Sequence, residues 1–235
     1  ANMVSNEVFI DSATLRENVV SLARNIGYTP RSSKSARANI SFIVNTANYS
    51  VKPQTITLNK GIVATSQSFG TESYTFSIME DITVPVVDDI ATFSNIDVYE
   101  GTYVTAEFTY NTFDPNQRYI LPNANIDVST INVMWKPSQL SSVKRRYRRS
   151  DSLFEVTSES PVYWVHEIED ERYELIFGDG IFGLALQEPN FLEVAYLVNN
   201  GSNANGVSDL RFNGKLTTSR DNVAINAGIS RVTVN

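Results

Sequence analysis

From Asn39 onward this chain is built of short runs in which apolar and polar residues alternate, as in Ile40-Ser41-Phe42-Ile43-Val44, Thr55-Ile56-Thr57-Leu58 and Tyr74-Thr75-Phe76-Ser77-Ile78. A period of two sends successive side chains to opposite faces of a strand, so each run can bury one face and wet the other. The theme continues through residues 102–110, 131–135, 162–168, 173–177, 191–198 and 223–234. Turn signals, not long helical patterns, separate these runs. That favours antiparallel, β-sandwich-like packing over a parallel α/β sheet, and no fixed repeat points to a propeller or solenoid.

One segment has a different period. Leu15, Val19, Leu22, Ala23 and Ile26 fall on one face of a helix, with Thr14 and Glu17 as a capping box and Gly27 and Pro30 as the stop. Ser32 and Ser33 can cap a short second helix reaching Ala38. The turns Asp114-Pro115-Asn116 and Leu121-Pro122-Asn123 place a boundary near residue 115. The expected fold is thus mainly β, of the α+β class. An N-terminal helical arm (1–38) leads into a first β domain (39–115) and a second β domain (116–235).

Composition removes several functions. The 235 residues include no cysteine, which excludes disulfides, thiolate metal sites and thiol catalysis. No apolar run approaches the roughly 18 residues of a membrane span, so no membrane partner is expected. The net charge of −7 argues against nucleic acid as a partner. No secretory signal is visible at the start, and Ala1 in place of an initiator Met suggests an excised piece of a longer chain. Sequons at Asn39, Asn48 and Asn200 are what a chain rich in Asn, Ser and Thr produces by chance.

Several residue groups are candidate sites. Gly178, Gly180 and Gly183 in Gly178-Asp179-Gly180-Ile181-Phe182-Gly183 spell the dinucleotide fingerprint, but Pro189 follows closely and the next segment is strand-like, so no helix N-terminus is available for a pyrophosphate. Asp179-Gly180 reads instead as the centre of a tight hairpin turn flanked by Phe177 and Phe182. His166, the single histidine, stands on a strand, where residues four apart lie about 13 Å from each other, so His166 and Asp170 do not form a zinc pair. Carboxylate pairs at Glu80-Asp81, Asp88-Asp89 and Glu169-Asp170-Glu171 are available for glycoside hydrolysis, with solvated turns as the alternative. Lys144-Arg145-Arg146-Tyr147-Arg148-Arg149 places five of the 19 basic residues in six positions. It reads either as a docking run for an acidic partner or as a solvated loop or edge strand.

The order of these segments resembles the baseplate J-like family, the baseplate wedge subunits of large contractile-tailed bacteriophages. The resemblance rests on residues 173–183, then Glu193-Val194-Ala195-Tyr196-Leu197-Val198, then the turn containing Gly201 and Gly206. Weaker support comes from Gly27-Tyr28-Thr29-Pro30, Ser35-Ala36-Arg37-Ala38 and Ile96-Asp97-Val98-Tyr99-Glu100-Gly101. It implies a structural scaffold, not an enzyme, that uses no cofactor and resides in the virion tail baseplate after assembly in the host cytoplasm. It also implies other wedge subunits as partners, a homodimer in the full-length subunit, and a ring that changes shape as the sheath contracts. Those subunits are longer than this chain, which is therefore expected to be a portion of one. The competing classes are a glycan- or receptor-binding β-sandwich of a phage tail and a glycosidase relying on Glu167 or Glu169.

Overall fold

The computed structural model describes residues 12–15, 18–19, 22–23, 32–67, 72–114, 116–188, 190–218, 223–225 and 227–235. Its first seven strands are β1 (Arg37–Asn45), β2 (Thr55–Leu58), β3 (Gly61–Ser66), β4 (Thr75–Ile78), β5 (Ile82–Val87), β6 (Ile90–Glu100) and β7 (Thr102–Thr109). Next come β8 (Tyr119–Ile120), β9 (Asn132–Lys136), β10 (Arg145–Arg149), β11 (Val162–Glu167), β12 (Tyr173–Phe177) and β13 (Phe191–Val198). The last four are β14 (Leu210–Phe212), β15 (Leu216–Thr218), β16 (Ala224–Ile225) and β17 (Thr233–Val234).

This corrects the α+β expectation. Apart from three short 3₁₀ turns, the described elements are strands, and no helical arm is formed by the described residues. Of the helix expected over 15–26, Asn18, Val19, Leu22 and Ala23 have helical backbone, and much of the remainder lies outside the described residues. The second helix expected after Ser32 does not form: residues 32–36 are irregular, and Arg37 and Ala38 open β1. Two serines that can cap a helix do not outweigh the ladder that Ala38 and its neighbours make with β6. No described helix is long and apolar enough to cross a membrane.

The chain divides into two compact units that interleave along the sequence. One comprises Ala1–Ser33, Ala106–Val128 and Asn132–Val194; the other comprises Lys34–Thr105, Ser129–Ile131 and Ala195–Asn235. In the second unit a ten-stranded sheet runs β14-β3-β4-β6-β5-β2-β15-β16, with β1 and β17 branching from β6. Alternation supplies its core: Phe42 stacks on Phe93 at 4.7 Å between ring centres, Phe212 closes on Phe42 at 4.8 Å, and Ile40, Ile56, Leu58 and Val98 are fully buried around them. Each such side chain contributes roughly 1.5–3 kcal/mol by leaving water. The β5–β6 hairpin turns on Asp88-Asp89, both in the left-handed region (φ 50° and 63°), as a two-residue primed turn requires. This carboxylate pair is therefore a turn.

The other sheet runs β7-β13-β9-β10-β11-β12-β8. One face of its strands β8 and β10–β12 is aromatic. Phe177 meets Tyr119 and Tyr147 edge-to-face, at 5.2 and 5.5 Å, and lies 6.4 Å from Tyr163, whose side chain is almost wholly buried. Burial pushes the phenols of Tyr119 and Tyr163 up to about 12. These strands are mostly antiparallel, but β10 and β11 run parallel, through Arg148↔Val162 and Arg149↔Tyr163.

Candidate assembly surface

The basic run is neither a loop nor an edge. Residues 145–149 form β10, an interior strand that pairs with β9 through Arg145–Tyr147 and then with β11 through Arg148 and Arg149. Tyr147 alone of the five is buried, and it locks the strand into the aromatic core, leaving Arg145, Arg146, Arg148 and Arg149 exposed. Because side chains alternate, Arg146 and Arg148 project from the face opposite Tyr147.

The cations have different roles. Lys144 lies 3.0 Å from Glu193, whose carboxylate also pairs with buried Lys136. Burial by itself would push the Glu193 carboxyl up, but the hydrogen bonds and charges of Lys136 and Lys144 bring it down to about 2. Lys144 thus belongs to a structural ion network. Arg149 pairs with Asp151 at 2.8 Å and donates to the Val128 carbonyl. Among the described residues, Arg145 and Arg148 have neither an ion-pair partner nor a hydrogen-bonded side chain.

The glycine segment also departs from its expected form. No hairpin forms at Asp179-Gly180: β12 pairs with β11 and β8, and the segment beyond it folds into a compact loop that touches β12's end through a parallel bridge, Gly178↔Ala185. The Asp179 carboxylate organises this loop, accepting from the amides of Phe182 (2.8 Å) and Ile181 (2.9 Å), and those bonds hold its carboxyl below the usual range. Gly180 and Gly183 take φ of 88° and 87°, which explains two of the glycines. Gly178 is required for space, since a Cβ there would stand 2.2 Å from the Gly183 carbonyl carbon. Among the described residues no helix follows, and the next element is the strand β13, so the arrangement lacks what a dinucleotide site needs.

This loop lies on the arginine-bearing face. A Cβ at Gly183 would come within 3.1 Å of Val162 and 3.4 Å of the Trp164 ring, and Val162 is the register partner of Arg148. The Gly183 and Leu184 amides donate to the carbonyls of Thr157 and Ser160, on the segment linking β10 to β11. Both connections present apolar side chains to solvent. Ile181 is 71% exposed and Phe182 49%, and Leu153 and Phe154 protrude from the other segment.

In the second unit, Gly201 opens the 3₁₀ turn Gly201–Ala204 after β13 and Gly206 follows it in the next turn, with φ of 62° and 91°. Its anchor was not legible in the sequence. Glu100, fully buried at the end of β6, accepts from the Asn200 amide (3.0 Å) and from its side-chain Nδ2 (2.9 Å). The remaining weighed carboxylates serve turns: Asp81 accepts from the Lys60 amide at 2.7 Å, and Asp170 and Glu171 occupy left-handed positions in a 3₁₀ turn. His166 is exposed opposite Glu174, which Arg118 grips through two 2.8 Å hydrogen bonds. Among the described residues no three His, Asp or Glu side chains gather as a metal site.

No family model matches the chain. It is similar to a baseplate wedge protein, gp6, of Enterobacteria phage T4, at 24% identity over 233 aligned residues. That similarity covers 92% of this chain and 34% of the phage protein, so the chain spans about a third of the relative it matches.

Proposed function

We propose that this chain is a structural part of a baseplate wedge in a contractile phage tail, of the baseplate J-like kind, and that it works by assembling with other wedge subunits. The observation that carries this reading is the similarity to a baseplate wedge protein along 92% of the chain. Two features of the molecule support it. The residues weighed for catalysis are spent on turns and ladders, and the exposed arginines and apolar loop tips of the first unit have the composition that binding surfaces favour. In this reading the parent subunit dimerises and joins its neighbours in a ring around the tail tube, and the ring is remodelled when the sheath contracts.

Mass spectrometry of fractionated virions tests the proposal. Peptides from this sequence are expected in the baseplate fraction, in near-stoichiometric amount and within a longer polypeptide. Their absence from the particle would sink the scaffold role and bring glycan binding forward.

A further inference from the structure

The outer face of the β10–β12 sheet combines three things that few solvated faces combine. The first is exposed positive charge. Arg148 projects from it without an ion-pair partner among the described residues, beside Arg146, in a chain whose net charge is −7. The second is exposed apolar area at one end of that face, from Ile181 and Phe182, with Phe154 90% exposed on the linked crossover. The third is fixation: two backbone hydrogen bonds tie the two connections together (Gly183 to Thr157, 3.1 Å; Leu184 to Ser160, 2.7 Å), and the loop backbone packs on Val162 and Trp164.

From this juxtaposition we infer that the face is a docking surface for an acidic protein segment carrying aromatic or large aliphatic anchors. Arginine beside exposed aromatic groups is a pairing that protein interfaces favour. A face whose loops are already bonded in place loses little conformational freedom on binding. The acidic character of the partner follows from charge. Guanidinium groups held on a strand present fixed forks to carboxylates, and they steer acidic surfaces at low ionic strength. A second copy of this chain paired face to face fits less well, since a two-fold contact would set these arginines against their own copies. Duplex DNA would answer the arginines but leave Ile181, Phe182 and Phe154 against phosphate and water.

The inference rests on the assembly role proposed above and supplies its contact surface. It is tested separately, with the purified chain and a fluorescent peptide of alternating glutamate and phenylalanine. Polyglutamate, a lysine–phenylalanine peptide and duplex DNA serve as competitors. The glutamate–phenylalanine peptide is expected to bind and to weaken about tenfold in Arg146→Ser/Arg148→Ser, chiefly at low salt, and severalfold in Phe182→Ser. The variants' circular dichroism and thermal midpoints are expected to match the parent. Should Arg146→Ser/Arg148→Ser fail to fold, Arg148→Lys replaces it and is expected to weaken binding less than loss of charge would. Equal binding of polyglutamate with no effect of Phe182→Ser would overturn the surface, reducing it to ion exchange. Tighter binding of DNA, or salt-dependent self-association of the chain, would overturn the choice of partner. No binding by any probe would overturn the inference while leaving the virion result untouched, so the two readings can fail independently.

Discussion

The turns at residues 178–183 and 199–206 look alike in sequence, both rich in glycine with Asn or Asp, and they are held in opposite ways. The first is organised from within, by an exposed Asp179 bonded to amides two and three residues on. The second is organised from a distance, by a buried Glu100 that reaches Asn200 across a hundred residues of chain. The first loop's outward ties, from the Gly183 and Leu184 amides, go to Thr157 and Ser160 on the segment linking β10 to β11 and not to a buried carboxylate, so loop and segment can shift together without disturbing the core beneath them. A turn hung on a buried carboxylate shares the stability of the strands on either side. The difference separates a segment free to serve as surface from one that belongs to the framework.

Glycine substitutions test this most severely, because sterics and the comparison make opposite forecasts. At Gly101, next to Glu100, φ is 135° and a Cβ would stand 2.8 Å from the Val198 carbonyl oxygen. At Gly178 the clash is closer, 2.2 Å. Gly101→Ala is nevertheless expected to cost more, about 3 kcal/mol against about 1 kcal/mol for Gly178→Ala, since the Gly178 clash lies within one surface loop that can relax locally, whereas the Gly101 clash is with the backbone of β13. Urea unfolding of the two variants gives the order, and the reverse order would erase the distinction.

Glu100→Ala removes the remote anchor and strands two donors of Asn200. A loss of about 2 kcal/mol is expected, with Glu100→Gln recovering part of it by retaining an acceptor. Glu193 asks whether a partly buried carboxylate also acts through its charge. Its folded value of about 2 lies below that of an unfolded glutamate, so the stability it contributes is present above the ordinary carboxylate range and is lost as pH falls toward 2. Glu193→Gln is expected to lower the unfolding free energy at neutral pH by about 2 kcal/mol and to match the parent near pH 2. A gap that persists in acid would assign the effect to packing.

The smallest effect belongs to Asp179. Asp179→Ala is expected to leave the thermal midpoint within a few degrees of the parent while the amides of Ile181 and Phe182 exchange faster with solvent. A large drop in midpoint would show that the loop is framework after all.

How much of this could be read from the sequence depends on whether the signal was local. Strands with an alternating or continuous apolar signal, such as Thr55–Leu58, Tyr173–Phe177 and Phe191–Val198, form over the expected residues. β10 was masked by its own composition, because four arginines around one tyrosine carry no apolar period, yet Tyr147 alone suffices to bury the strand's inner face. Residues 223–234 show the converse: an apolar stretch that reads as one strand yields only β16 and β17, with the left-handed Gly228 and the Val44↔Ile229 bridge between them. The hairpin expected at Asp179-Gly180 failed because the turn letters are correct for reversal but the strands they would join pair elsewhere. The arginines were legible as a candidate docking run; the apolar loop tips were not, since only the fold bonds the loop after β12 to the segment linking β10 to β11.

The interleaving of the two units has a consequence for synthesis. In the second unit β1 pairs with β17, and the Asn235 side chain bonds Asn39 across 196 positions. At translation rates of about 5–20 residues per second, a β1 leaving the ribosome waits roughly 10 to 40 s for that partner. Through that interval its open edge can recruit the wrong strand, so the yield of assembled protein depends on what shields the nascent chain as much as on the stability of the finished fold.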